Sequence, residues 1–350
     1  MFRILDILST YLGNSFSINQ LTEKIKEIYG TAYYANIYKK LHDLETQGIL
    51  NLIKLGNSSI VALNFQNYLL TDFLAEMEIK KKIDLLERKT DLQMFLKEMD
   101  SYFSNMYSIK SICSIDSERN LKLNKMEYLC LLKYSDKELN LPDEKEKIHE
   151  GFRKLQDMYN IRIDSLILHE REFSDFLESD EINPIKEILS KKTIFSCPQA
   201  FWNDIREIFE KGIEIKTEKN EIKPAEILER DLIYNLARFG YKEFGSRVRQ
   251  GQKICIEYII TALLMQSDAR RIEAIPIIMA KYKFNSELLI FLSQKLGLSE
   301  RLLGLLKILS NISQKKEVDK AIKLLETFDV NEIEGDKSSI LKKMRLYNAT

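Results

Sequence analysis

The sequence contains few of the residues that interrupt helices, bind metals or form disulfides. Its 350 residues include 12 glycines, 5 prolines, 4 cysteines and 3 histidines. The cysteines are far apart and form no C-x-x-C pair, which argues against a zinc ribbon and against a disulfide framework. The isolated histidines indicate no His/Cys metal centre. Scarce glycine and proline, together with long periodic apolar runs, predict a mostly helical protein.

The sequence also lacks a net charge and a long apolar stretch. Lysine plus arginine equals aspartate plus glutamate, at 53 each, so no overall field favours nucleic acid, although a local basic patch is compatible with this balance. No apolar run reaches the roughly 18 residues needed to span a membrane. The first residues carry neither a positive n-region nor a small-residue cleavage site. These features predict a cytoplasmic protein with no membrane partner.

Residues 1–65 have the periodicity of three helices followed by a β-hairpin. Ser17 can cap the second helix, and Gln20 three residues later completes a capping-box pattern. Gly48 provides a stop after the third helix. The third helix and the two strands are predicted at residues 32–47, 49–55 and 60–64.

This order of elements, with the segment LETQGIL before the hairpin, resembles the winged helix-turn-helix family over about a fifth of the chain. The resemblance implies that the third helix enters the major groove of DNA and that the hairpin, or wing, touches the backbone. An asparagine can read adenine, and lysines can contact phosphates. The DNA-binding residues expected are Tyr33, Tyr34, Asn36, Lys39 and Lys40 on the helix, and Lys54, Asn57 and Ser58 on the wing.

A protein-binding winged helix is the alternative for the same segment. Residues 1–65 carry six basic and five acidic side chains. This near-neutral balance gives only a weak electrostatic attraction to DNA. Residues 66–103 follow as a connecting segment of one or two helices. They either form a homodimer, which would match two-fold DNA half-sites, or pack on the next domain. The run Lys80-Lys81-Lys82 in this segment is interpreted as a solvated face.

Residues 104–215 alternate short strands with helices, which indicates an α/β unit. The stretch 113–127, CSIDSERNLKLNKME, and the apolar strand YLCLL after it resemble the active-site region of nucleotidyltransferases. In that family Gly-Ser at the end of one strand precedes a second strand with Asp-x-Asp. Residues 169–197, which contain Asn-Pro, are similar to the segment that follows the third strand in minimal members of the family.

The resemblance places Ser114 at the serine of Gly-Ser, after Cys113 at the glycine. It places Lys125 and Glu127 at the paired carboxylates and Asp164 at the third. In the family these carboxylates hold Mg²⁺, which bridges the triphosphate. A lysine at the first position repels a divalent cation and can instead pair with Glu127 or Asp164.

The chain is therefore expected to be a pseudoenzyme with no metal and no cofactor. Mg²⁺ belongs to the alternative, an active nucleotidyltransferase that uses Glu127 and Asp164. The nearby Asp116 and Glu118 are expected in a turn.

Residues 223–330 are predicted to form a helical domain, one helix of which covers 248–265, and residues 331–350 a tail. The segment 268–306 resembles uncharacterised archaeal proteins, which implies no activity. Arginines and lysines interleaved with glycines and aromatic residues suit phosphate binding and base stacking. The second phosphate-binding surface is expected at Arg238, Lys242, Arg247, Arg249 and Lys253. The alternative is a solvated junction whose cations pair with acids elsewhere.

The fold class predicted from these patterns is α+β and predominantly helical, with a winged helix, a nucleotidyltransferase-like α/β domain and a helical domain in that order. The function predicted is binding of double-stranded DNA by a transcriptional regulator or an antitoxin-like factor. The degenerate central domain would then act as a scaffold or ligand sensor. An active Mg²⁺-dependent nucleotidyltransferase and a protein assembly factor remain as alternatives.

Overall fold

The computed structural model of the chain is α+β and predominantly helical. It describes residues 1–56, 58–133, 141–217, 222–243, 248, 250–266, 268–313, 315–328, 330–333 and 337–349. The chain divides into two units, one of Met1–Ser179 with Ile185–Glu221 and one of Asp180–Pro184 with Ile222–Thr350. No helix in the described ranges is both long enough and apolar enough to cross a membrane.

The first unit begins with three helices and a small antiparallel sheet of strand order β1-β3-β2. These elements are α1 (Phe2–Thr10), β1 (Phe16–Ser17), α2 (Ile18–Tyr29), α3 (Tyr34–Thr46), β2 (Leu50–Leu55) and β3 (Ser58–Leu63). The predicted capping box is formed, because the Ser17 hydroxyl accepts from the Gln20 amide at 3.3 Å and the Gln20 side chain accepts from the Ser17 amide at 2.9 Å. The bounds of α3 and of both hairpin strands lie within two residues of the prediction.

Gly13, after α1, contacts a segment more than two hundred residues later in the same unit. Its φ is +78°, and a Cβ added there would lie 2.0 Å from the carbonyl oxygen of Ile215. Beside it, the Thr217 amide donates to the Leu12 carbonyl at 3.2 Å. Only glycine satisfies both the backbone angle and the close approach. The N-terminal helices are therefore part of the same packed unit as residues 213–217.

The connecting segment forms two helices, α4 (Leu69–Arg88) and α5 (Thr90–Phe103). The interpretation of the lysine run as a solvated face is wrong for two of its three residues. The Lys81 ammonium lies 2.9 Å from an Asp6 carboxylate oxygen, and Lys82 donates to the Phe195 carbonyl at 2.8 Å. Helix α4 packs against α1 on one side and against residues after 191 on the other, which brings these acceptors within reach of the lysines.

A four-stranded sheet of order β6-β5-β4-β7 forms the rest of the first unit. Its elements are β4 (Ile109–Ile115), α6 (Ser117–Lys122), β5 (Lys125–Leu132), α7 (Leu141–Tyr159), β6 (Arg162–His169), α8 (Glu170–Glu178), α9 (Pro184–Lys191), β7 (Lys192–Ser196) and α10 (Pro198–Glu210). Strands β5 and β6 are parallel, with a crossover that contains α7, and the other pairings are antiparallel. Residues 128–132 of β5 have no exposed surface, so β5 is the centre of this core.

The second unit is helical in its described residues. It contains a 3₁₀ turn (Pro224–Glu226), α11 (Glu229–Arg238), α12 (Ile256–Leu264), α13 (Ala269–Ile272), α14 (Ala274–Lys281), α15 (Ser286–Lys295), α16 (Ser299–Ser310), α17 (Lys316–Thr327) and α18 (Lys337–Leu346). The helix predicted over 248–265 is wrong in its first half, because α12 begins only at Ile256. Ile182 bonds to the Lys253 carbonyl at 2.8 Å and to the Cys255 amide at 3.0 Å, so these backbone groups cannot serve a helix.

Candidate functional site

Helix α3 buries one face and exposes the other. Ile37, Leu41 and Leu44 are buried against the other N-terminal elements. The residues predicted to contact DNA lie outside this face and are all exposed: Tyr33, Tyr34, Asn36, Lys39 and Lys40. The chain has no acidic residue between Glu27 and Asp43. The exposed face of α3 therefore presents two lysines in a stretch without acids, and the exposed Asp43 follows Lys39 by one turn of the helix.

Aromatic rings form a ladder on this exposed face. The ring centroids of Tyr34 and Tyr38 are 5.9 Å apart in a stacked arrangement, and those of Tyr38 and His42 are 4.4 Å apart edge to face. The side chain of Tyr33 is 71% exposed. Tyr38 was not among the predicted contacts, although its spacing of four residues from Tyr34 and from His42 places all three on one side of a helix. Exposed rings of this kind can stack on bases or pack against sugars.

The β2–β3 hairpin exposes Lys54 together with two apolar side chains. Lys54 is the single charged residue between Ile49 and Asn64. Ile53 and Leu55 are 54% and 63% exposed, on the opposite face of β2 from Lys54 because successive side chains alternate. Asn57, predicted as a wing contact, lies outside the described residues. The hairpin thus has one cation and an apolar face that the sequence analysis did not identify.

The residues aligned with the nucleotidyltransferase carboxylates form an ion-pair cluster between β5 and β6. Glu127 and Asp164 are paired in register across these parallel strands, and each is 3% exposed. The Lys125 ammonium lies 2.9 Å from a Glu127 oxygen and 2.8 Å from an Asp164 oxygen. Arg162 approaches the other Asp164 oxygen at 3.2 Å. Two cations therefore balance two carboxylates, and the ammonium of Lys125 lies where both could otherwise bind a metal.

The strand before this cluster also differs from the catalytic pattern. Ser114 is the next-to-last residue of β4, is 1% exposed, and its hydroxyl accepts a hydrogen bond from Ser117 at 2.8 Å. Burial raises the pKa of the Cys113 thiol to about 12, so this thiol is not a nucleophile at neutral pH. Asp116 lies at the strand end with a φ of 46°, whereas Glu118, expected in a turn, lies within α6. Among the described residues no group of three or more His, Cys, Asp or Glu side chains is arranged to hold a metal.

The second predicted phosphate-binding surface is largely engaged in ion pairs. Arg238 lies 2.5 Å from a Glu181 oxygen and donates to the Ile254 carbonyl. Lys253 lies 2.5 Å from an Asp180 oxygen. Lys242 is exposed. Arg247 and Arg249 lie outside the described residues. The described part of this surface corresponds to the alternative of cations paired with acids elsewhere in the sequence.

The structure thus brings the predicted helix contacts onto one exposed surface of the first unit, while the carboxylate positions are filled by an internal ion pair. In the described part of the cationic stretch of the second unit, Arg238 and Lys253 each pair with a different acid. Comparison of the chain with protein-family models, with curated proteins and with solved structures found no match.

Proposed function

We propose that the chain binds duplex DNA through α3 and the β2–β3 hairpin, as a transcriptional regulator or antitoxin-like factor does. The observation that carries this proposal is the exposed face of α3, on which Asn36, Lys39 and Lys40 lie beside exposed tyrosines in a stretch that has no acid between Glu27 and Asp43. An α-helix fits the major groove of B-DNA, where an asparagine side chain can pair with adenine. Lysines bind phosphates without reading sequence. The wing would add one phosphate contact through Lys54.

In this proposal the central sheet acts as a scaffold or ligand sensor and not as a catalyst. The ion pair of Lys125 with Glu127 and Asp164 supports that role, because a fixed ammonium at this distance opposes binding of a divalent cation. Neither the Glu127 nor the Asp164 carboxylate is free to hold Mg²⁺ while the lysine remains charged. The alternative of an active Mg²⁺-dependent enzyme would require Lys125 to leave the cluster.

Lys125→Asp is expected to create a divalent-cation site, because it replaces the ammonium by a third carboxylate next to Glu127 and Asp164. Mn²⁺ at millimolar concentration should raise the unfolding temperature of the variant and leave that of the natural chain unchanged, since a ligand that binds the folded state stabilises it. Differential scanning calorimetry measures both, with Ca²⁺ as a second cation. If Mn²⁺ does not stabilise Lys125→Asp, the resemblance to a nucleotidyltransferase metal site loses its support.

A second candidate function, protein assembly, is favoured by the exposed apolar face of the hairpin. Ile53 and Leu55 are more than half exposed, and apolar side chains grouped at a surface are typical of protein-binding sites. The two candidates differ in their dependence on salt. DNA binding weakens steeply as the salt concentration rises, because the release of counterions from DNA then contributes less to the binding free energy. Apolar docking lacks this dependence.

The double variant Lys39→Ala/Lys40→Ala is expected to weaken duplex binding about tenfold or more at low salt, because it removes two phosphate contacts from α3. The slope of log affinity against log salt should fall by about two. Fluorescence anisotropy of a labelled duplex with the full chain, at several salt concentrations, measures both quantities. A matched control is Lys316→Ala/Lys320→Ala, which removes the same charge from exposed positions of α17.

Equal losses of affinity in the two double variants would mean that only net charge matters and that α3 is not the DNA-binding helix. Absence of salt-dependent duplex binding by the full chain would favour the apolar hairpin face and a protein-assembly role. In that case Leu55→Ser should weaken self-association or partner capture, while Lys39→Ala/Lys40→Ala should not.

A further inference from the structure

The first unit contains a cationic cavity. Its volume is about 420 Å³, and it is lined by residues from α1, α3 and α4. Three of its lining side chains are basic: Arg3, Lys40 and Lys80. Each comes from a different helix, so their proximity depends on packing and is invisible in the sequence. The lining residues include no aspartate or glutamate.

The rest of the lining suits a ligand that combines a charged group with a polar or flat portion. Asn36 and Thr31 add hydrogen-bonding groups, and Tyr33 adds an exposed ring. Ile4 and Ile25 are buried and form part of the wall. Apolar walls lower the local dielectric constant, which strengthens the attraction between a bound anion and the surrounding cations. A cavity of this volume lies within the usual range for small-molecule sites.

Two carboxylates on the helices that carry Arg3 and Lys80 already have partners. Asp6 accepts from the Tyr29 hydroxyl and pairs with Lys81 at 2.9 Å. Asp84 pairs with Lys80 at 3.1 Å, but both side chains are about half exposed, at 47% and 55%. An exposed pair of this kind contributes little to stability, so a bound anion can replace it. The Arg3 guanidinium lies 5.1 Å from the centre of the Tyr29 ring, a cation–π contact that holds it in place.

We propose that this cavity binds a phosphate group through Arg3, Lys40 and Lys80. Arginine and lysine are the side chains that bind phosphate best, the first through a fork of donors and the second as a point charge. The phosphate comes either from a small phosphorylated compound or from the DNA backbone. The second source rests on the proposed function, since Asn36 and Lys40 belong both to the cavity and to the exposed face of α3. The first source does not depend on it.

Titration calorimetry with inorganic pyrophosphate tests the site in the full chain at low ionic strength. The natural chain is expected to bind, and Arg3→Ala/Lys80→Ala is expected to bind at least about tenfold more weakly because two of the three basic side chains are lost. Lys316→Ala/Lys320→Ala, with the same change of net charge, should bind as the natural chain does. If the double variant unfolds, Lys80→Glu replaces it as the test. This single change at an exposed position should also weaken pyrophosphate binding.

The duplex affinity of Arg3→Ala/Lys80→Ala separates the two sources of phosphate. An unchanged duplex affinity with lost pyrophosphate binding identifies a small phosphorylated ligand. A loss of duplex affinity, with competition between duplex and pyrophosphate, identifies the DNA backbone. Pyrophosphate binding by a chain that binds no duplex would leave the site in place while the proposed function fails. The site is overturned if pyrophosphate binds equally to Arg3→Ala/Lys80→Ala, or if it does not bind and duplex affinity is also unchanged.

Discussion

Replacing Lys125 by methionine is expected to lower the free energy of unfolding by about 3–5 kcal/mol at pH 8. The lysine ammonium lies within 2.9 Å of both Glu127 and Asp164, and these carboxylates are almost fully buried. Methionine fills a similar volume but leaves two negative charges facing each other across β5 and β6. Breaking a buried ion pair from one side costs far more than the pair contributes, because a buried charge then lacks compensation.

The loss should be smaller at pH 5 than at pH 8. Without the ammonium, the two buried carboxylates repel each other in the folded variant, and a proton bound by either one relieves this repulsion. Because low pH supplies that proton, the folded variant gains stability relative to the unfolded chain as the pH falls. Urea unfolding at both pH values measures the difference. The double variant Lys125→Met/Glu127→Gln should recover part of the loss, since a single carboxylate can still pair with Arg162.

Arg162→Met serves as the matched control, because it removes the other cation that contacts Asp164. The Arg162 side chain is 51% exposed and lies 3.2 Å from the carboxylate, so its removal should cost about 1 kcal/mol or less. If Lys125→Met costs no more than Arg162→Met, the cluster is open to solvent and the carboxylates do not depend on the lysine. The interpretation of Lys125 as the group that replaces a metal would then be wrong.

The parts of the fold that the sequence predicted depend on local signals. The capping box at Ser17 and the periodicity of α3 arise from residues within a few positions of each other. The pairing of Lys125 was also accessible, because alternation along β5 places Lys125 and Glu127 on the same face. Which of two acids the lysine would contact was left open, and it contacts both.

The parts that were missed depend on contacts between distant segments. Residues 250–255 were included in the helix predicted over 248–265, yet Ile182, about seventy residues earlier, pairs with their backbone instead. Arg238 and Lys253 find their acids 57 and 73 residues away. A run of cations in a sequence shows the charge but not the partners. The cavity could not be predicted for the same reason, since Arg3, Lys40 and Lys80 come together only when three helices pack.

The free energy of unfolding of the natural chain is expected to fall by about 3 kcal/mol between pH 4.5 and pH 8, and Glu257→Gln is expected to abolish this fall. Glu257 lies in α12, is 3% exposed, and accepts a hydrogen bond from the Asn285 amide at 2.6 Å. Burial raises the pKa of this carboxyl group to about 7. Since the folded-state pKa lies above the unfolded one, the neutral form stabilises the fold at low pH, and that stability is lost as the pH rises through 7.

Glutamine reproduces the neutral carboxyl group and keeps an oxygen that accepts from Asn285. The variant should therefore be the more stable chain at pH 8, and the two chains should converge near pH 4.5. Urea unfolding across this range measures the two slopes, with Glu300→Gln as a control because Glu300 is an exposed residue of α16. A natural chain whose pH slope matches that of Glu257→Gln would contradict the prediction. Glu257 would then be charged in the folded state, and the hydrogen bond from the Asn285 amide would have to offset the cost of burying that charge.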